Sequence, residues 1–206
     1  MARTYDSSRR VQAAERTRET ILATAFRLHG LGILDVETLA QEADVSVATV
    51  RKQFPTRELL FEGCTEFGMN LVPMPDFDLI GSMADPHDRT RLAVRQTYRL
   101  HESLSGQMWG AFKLEDESDA MVKVIAQVEG LTSLMADLIL AAWSFDEGRI
   151  NEVRGFVVGL LHPLTYRALR TYGRLSPEQA VDRSVDSLIH CLAGPALALR
   201  EEVAHH

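Results

Sequence analysis

Six polar or charged residues fall close together in the stretch ADVSVATVRKQFPTRELL: Ser46, Thr49, Arg51, Lys52, Gln53 and Arg57. Arginine, lysine and glutamine donate to base edges in a DNA major groove, and arginine grips guanine through two donors at once. Serine, threonine and basic side chains also meet phosphate oxygens, which fix position without reading sequence. Such chemistry needs a rigid carrier. The spacing supplies one if Val36, Leu39, Ala40, Val45, Val50 and Phe54 close a small core while Thr49, Arg51, Lys52 and Gln53 stay outside.

The elements that must hold these residues follow from caps and breakers. VETLAQEA reads as a two-turn helix capped by Asp35, and after the turn DVS a second short helix, VATVRKQF, is capped by Ser46. Pro55 disfavours helix at Phe54, and Thr56 caps a further helix that starts at Arg57 and continues through ELLFEGCTEFGMNL. Two short helices joined in this way form a helix-turn-helix, the second suited to a major groove. Arg57 in a first turn opposes the helix dipole but suits a neighbouring phosphate. Arg9, Arg10 and Arg16 can bring the first helix or the tail before it close to the same backbone.

The rest of the chain sets the setting. Its 206 residues carry a net charge of -7 and are 46% hydrophobic, enough to close a core. Residues 1–60 hold 9 basic against 8 acidic groups, leaving 13 against 21 beyond, so the early region is the less acidic one. Long stretches are rich in Leu, Ala, Glu and Arg, and strand-like alternation is scarce, which predicts an all-α chain. Cys64 and Cys191 stand far apart, the start lacks an apolar secretion signal, and no run is long enough to span a bilayer. The expectation is a cytoplasmic protein with no membrane partner. The sequence contains no HExxH, Walker loop, dinucleotide fingerprint or G-x-S-x-G, and its seven histidines, His205 and His206 at the end among them, show no metal spacing. No catalytic residue, metal or cofactor is therefore expected.

A helix is predicted from Val11 through ERTRETILATAFRLHG, and the proline-rich stretch at residues 72–87 reads as a linker. From Asp88 most windows are helical, ending in a pair over residues 151–172 and 177–204. Gly173 stops the first of that pair, and Ser176, Pro177 and Gln179 open the second with a capping box. Pro163 and Pro195 predict local breaks.

ILATAFRL, LAQEADVS, Thr49 and FPTRELLF together resemble the TetR family of bacterial transcriptional regulators, over about residues 14–63. The resemblance implies a three-helix DNA-binding domain at residues 11–62 and a helical regulatory and dimerising domain at residues 63–204. It places Thr49, Arg51, Lys52 and Gln53 in the recognition region and Arg57 at a phosphate-contacting position. Two features depart from the family pattern: Arg51 stands where a tyrosine is common, and LHGLGILD is a short, apolar link between the first two helices. The implied protein is a ligand-responsive homodimeric repressor on double-stranded operator DNA. Phe156, Val157, Leu160, Leu161 and Leu164, with Val181, Val185, Leu188, Ile189 and Leu192, are the expected dimer surfaces, and Gly159 and Ala168 permit close packing. A small-molecule effector would meet Tyr98, His101, Met108, Trp109, Phe112 and Trp143. The alternatives are a helical protein-interaction module without DNA binding, or a small-molecule enzyme.

Overall fold

The computed structural model describes residues 2–145 and 148–194, with side chains from residue 8 onward. Among them the chain forms eleven helices and no strand. These are α1 (Ala2–Gly30), α2 (Val36–Glu42), α3 (Val47–Gln53), α4 (Arg57–Leu71), α5 (Phe77–Ser82), α6 (Pro86–Ser103), α7 (Ser105–Lys113), α8 (Asp119–Leu140), α9 (Ile150–Leu161), α10 (Pro163–Thr171) and α11 (Pro177–Ala193). The expected all-α architecture is what the chain adopts. His205, His206 and Pro195 lie outside the described residues.

The chain folds as two compact units. One comprises Met1–Pro73 with Leu104–Ile125, the other Met74–Ser103 with Ala126–His206. In the first, α1 contributes Ile21, Leu22, Ala25 and Leu28 to a core shared with Leu39, Ala40, Ala43, Val50, Phe54, Leu60 and Cys64. A second cluster there joins Phe61 of α4 to Ala111 of α7 and to Ala120, Met121 and Ile125 of α8. So α7 and the first turns of α8, distant in sequence, belong with the helix-turn-helix.

In the other unit α6, the later part of α8, α9, α10 and α11 surround Tyr98, Met135, Ile139, Val157, Leu161, Tyr166, Val185 and Leu188. The stretch read as a linker at 72–87 contains α5, capped by Asp76, whose carboxylate accepts from Leu79 N–H at 2.9 Å. Arg89 then ties the end of α5 in place by donating to the carbonyls of Gly81 at 2.9 Å and Met83 at 2.7 Å. Such side-chain contacts from a later helix are invisible in the local composition.

The expected break at Pro163 divides α9 from α10. Pro163 has no N–H, and the turn leaves carbonyls of α9 without helical partners. Tyr98 O–H takes the Leu160 carbonyl at 2.8 Å, and His101 Nε2–H takes that of Leu161 at 2.8 Å. The break is therefore built into the core by two side chains of α6. Burial pushes the His101 imidazole from an ordinary 6.5 to about 4, so it is neutral in the folded protein.

This has a pH consequence. Below pH 6.5 the unfolded chain takes up a proton that the folded His101 refuses until about pH 4, so stability is full above that window and falls through it. Urea unfolding is expected to show a loss of about 2 kcal/mol between pH 7 and pH 5 from this group alone, and His101→Gln should flatten the dependence. An unchanged pH profile in the variant would show that His101 is not the group responsible.

Candidate nucleic-acid interface

The turn between α2 and α3 is a close-fitting device. Asp44 N–H donates to the Gln41 carbonyl at 3.2 Å and Val45 N–H to that of Ala40 at 3.0 Å, the paired bonds of a Schellman motif. Asp44 takes the left-handed conformation this motif requires, with φ of 53°. Aspartate tolerates that region better than most side chains, though less easily than glycine. Val45 then turns into the core beside Leu39 and Ala40. At the other end of α2, Asp35 accepts from both the N–H and the hydroxyl of Thr38, at 2.7 and 2.6 Å. Those hydrogen bonds lower its pKa to about 2.

Helix α3 is fixed at both ends. Ser46 Oγ accepts from Thr49 N–H at 3.1 Å and lies 2.9 Å from the Thr49 hydroxyl, so each of these two side chains engages the other. At the far end Arg18 of α1 donates to the Gln53 carbonyl at 3.3 Å and lies over the Phe54 ring at 4.3 Å. A cation at this position answers the unpaired carbonyls and the negative end of the helix dipole. Sequence reasoning missed Arg18, because its partner lies thirty-five residues away and no local pattern pairs them.

With Val50 and Phe54 buried, Ala48, Arg51 and Lys52 are the exposed residues of α3. Thr49 and Gln53 are half-buried, and the Gln53 carboxamide donates back toward the Ala14 carbonyl at 3.5 Å. The outward surface of α3 is thus carried by positions 48, 51 and 52, spaced as one helical face.

Arg57 is exposed at the start of α4, yet it is engaged within its own unit. Its Nη2–H donates to the Glu117 carbonyl at 2.8 Å, and its guanidinium lies 3.7 Å from the Glu58 carboxylate and 3.9 Å from that of Glu117. Glu58 in turn accepts from Ser118 Oγ–H at 2.7 Å and from Ala120 N–H at 3.0 Å, which holds its pKa below the usual carboxylate range. A positive charge at this helix start is therefore explained by two acids as well as by any phosphate. The remaining guanidinium donors can still face an anion.

The six residues considered for an effector are divided between the two units. Met108, Trp109 and Phe112 belong to the first unit, where Met108 is buried, Phe112 packs on the Phe61 cluster and Lys113 sits 5.6 Å over the Trp109 ring. Tyr98, His101 and Trp143 belong to the other unit. There Tyr98 and His101 share an aromatic cluster with Tyr166, at ring separations of 4.6 and 6.0 Å. Trp143 instead stacks on His87 at 5.2 Å and donates to Thr90 Oγ1 at 3.2 Å.

Of the apolar residues expected at a dimer surface, Val157, Leu161, Val181, Val185, Leu188 and Leu192 fill the unit's own core. Phe156 and Leu164 are exposed, and Gly155 and Gly159 have open space beside them. Helical periodicity alone does not separate the inner stripe from the outer one.

No family model matches the sequence, and no curated protein matches it. Among solved structures the chain is similar to a transcriptional regulator from Rhodococcus sp. Rha1, with a TM-score of 0.60 and 15% identity, covering 84% of this chain and 95% of that one. It also aligns with a TetR transcriptional regulator from Rhodococcus sp. RHA1 at 18% identity, over 85% of this chain and 96% of that one, with a TM-score of 0.38. The chain has the all-helical fold of the first Rhodococcus transcriptional regulator, and its α2 and α3 form a helix-turn-helix.

Proposed function

We propose that the protein is a TetR-like transcriptional regulator that binds double-stranded operator DNA as a homodimer and releases it in response to a small molecule. The observation that carries this reading is α3 itself: a short helix capped by Ser46, clamped by Arg18 and presenting Arg51 and Lys52 to solvent. Arg51 and Lys52 are the base-reading candidates. Ser46, Thr49, Gln53 and Arg57 hold register, through phosphate where their donors remain available and through the protein where they do not.

Two copies follow from the geometry of operators, in which a pair of readers meets an inverted repeat. The exposed Phe156 and Leu164, with the open glycines of α9, offer that contact an apolar surface. A regulator of this kind performs no turnover. An effector that causes release must bind the DNA-incompetent state more tightly, and Tyr98, His101, Met108, Trp109, Phe112 and Trp143 are the side chains to probe for it.

Arg57→Ala tests the phosphate half of the proposal. It is expected to weaken operator and random duplex alike, and to reduce the slope of log affinity against log salt by about 1. Titrations on both duplexes at two or more salt concentrations measure this. An unchanged slope would assign Arg57 to its contacts with Glu58 and Glu117 alone. Salt-independent association of the unsubstituted protein would favour the interaction-module reading, and turnover surviving loss of the basic face would favour an enzyme.

A further inference from the structure

The exposed face of α3 contains a residue that charge and hydrogen bonding do not draw attention to. Ala48 is exposed one turn before Arg51 and Lys52, on the same side of the helix. Thr49, the neighbour that composition favours as a reader, is half-buried with its hydroxyl against Ser46. Gln53 is half-buried and turned toward α1. What remains outward is one methyl group and two cations.

We infer that Ala48 is a specificity-determining residue that reads a thymine methyl in the operator half-site. The inference rests on the DNA-binding reading above. The major-groove edge of a base pair offers acceptors, an amino donor and, on thymine alone, a methyl group. A side chain without donor or acceptor, held at the tip of the reading helix, matches only the last of these. It also excludes water from that methyl, and burial of one such group amounts to about a fourfold difference in affinity.

Position follows from helix geometry. Ala48 precedes Arg51 by three residues, roughly 4.5 Å along α3. That is between one and two base steps, taking a step as about 3.4 Å. The half-site therefore places a thymine within two base pairs of the base that Arg51 reads.

The test uses the full-length protein and the duplex it enriches from a random library. Each thymine of that duplex is replaced in turn by deoxyuridine, which removes only the methyl group. The unsubstituted protein is expected to lose about fourfold affinity at one position per half-site. Ala48→Gly should bind the thymine and deoxyuridine duplexes equally, and Ala48→Ser should do the same while disturbing the helix less. Retention of the full thymine preference by both folded variants would overturn the assignment, as would indifference of the unsubstituted protein to every thymine. Either result leaves operator binding itself intact. Failure to enrich any duplex would instead defeat the DNA-binding reading, and this assignment with it.

Discussion

Gly106→Val is expected to destabilise the first unit by about 3 kcal/mol, at the upper end of what overpacking a close contact costs. The last turn of α1 and the first turn of α7 meet there backbone to backbone. A Cβ at position 106 would lie 2.2 Å from the Gly30 carbonyl oxygen, 2.9 Å from its carbon and 3.0 Å from its Cα. None of these atoms can swing aside as the end of a flexible side chain can. Gln107 reinforces the contact by donating to the Phe26 carbonyl at 3.2 Å, and Gly110 continues it with the His29 carbonyl near its own Cβ position.

Because α1 carries Ile21, Leu22, Ala25 and Leu28 into the core under α2 and α3, a displaced α7 would disturb the scaffold of the reading helix. Urea unfolding and operator titration should fall together in Gly106→Val. Gly130→Ala in α8 is the control: its Cβ meets nothing within 4 Å, and alanine is the better helix former. Equal unfolding midpoints for the unsubstituted protein and Gly106→Val would contradict the close approach.

Arg51→Ala is expected to reduce operator affinity by roughly 10- to 100-fold, in keeping with the loss of a bidentate arginine contact. Random duplex should lose only the few-fold share of one positive charge. The difference between the two losses is the informative quantity. Arg51→Lys keeps the charge but removes the planar fork, so it should recover random binding more fully than operator binding. Parallel losses on both duplexes would make Arg51 a phosphate contact and leave base reading to Lys52 and Ala48. Arg51→Tyr installs the aromatic common in TetR proteins and should change the preferred duplex without preventing folding, since the side chain is exposed.

The parts of this arrangement that could be read from the sequence are those decided locally. Asp35, Ser46, Thr56 and Ser176 cap helices because a short polar side chain reaches the N–H three residues on, and each does so here. Pro163 had to interrupt a helix, and it does. The first helix begins at Ala2 rather than at residue 11, for no glycine or proline stands before Gly30 to prevent it. The stop after α10 differs in a smaller way. Arg174, with φ of 54°, takes the left-handed turn expected of Gly173, while Gly173 leaves room beside the Leu169 carbonyl.

Contacts between distant segments were the illegible part. Nothing local pairs Arg18 with the end of α3, Glu58 with the start of α8, or Gly106 with Gly30. The same limit governs the candidate site. Residue type and spacing found Arg51 and Lys52, but the inward turn of Gln53 and the exposure of Ala48 depend on where α1 lies against α3. For the effector candidates, aromatic composition could not tell Trp109, on the surface, from Tyr98 and His101, whose hydrogen bonds close the break between α9 and α10.

The central claim is that paired copies of α3 read DNA, and selection of bound sequences from a random duplex library tests it most directly. Enrichment of an inverted repeat is expected, with binding that weakens steeply as salt rises and an enriched motif that changes in Arg51→Ala. A library returned without enrichment, or an enriched motif without an inverted repeat, would contradict it.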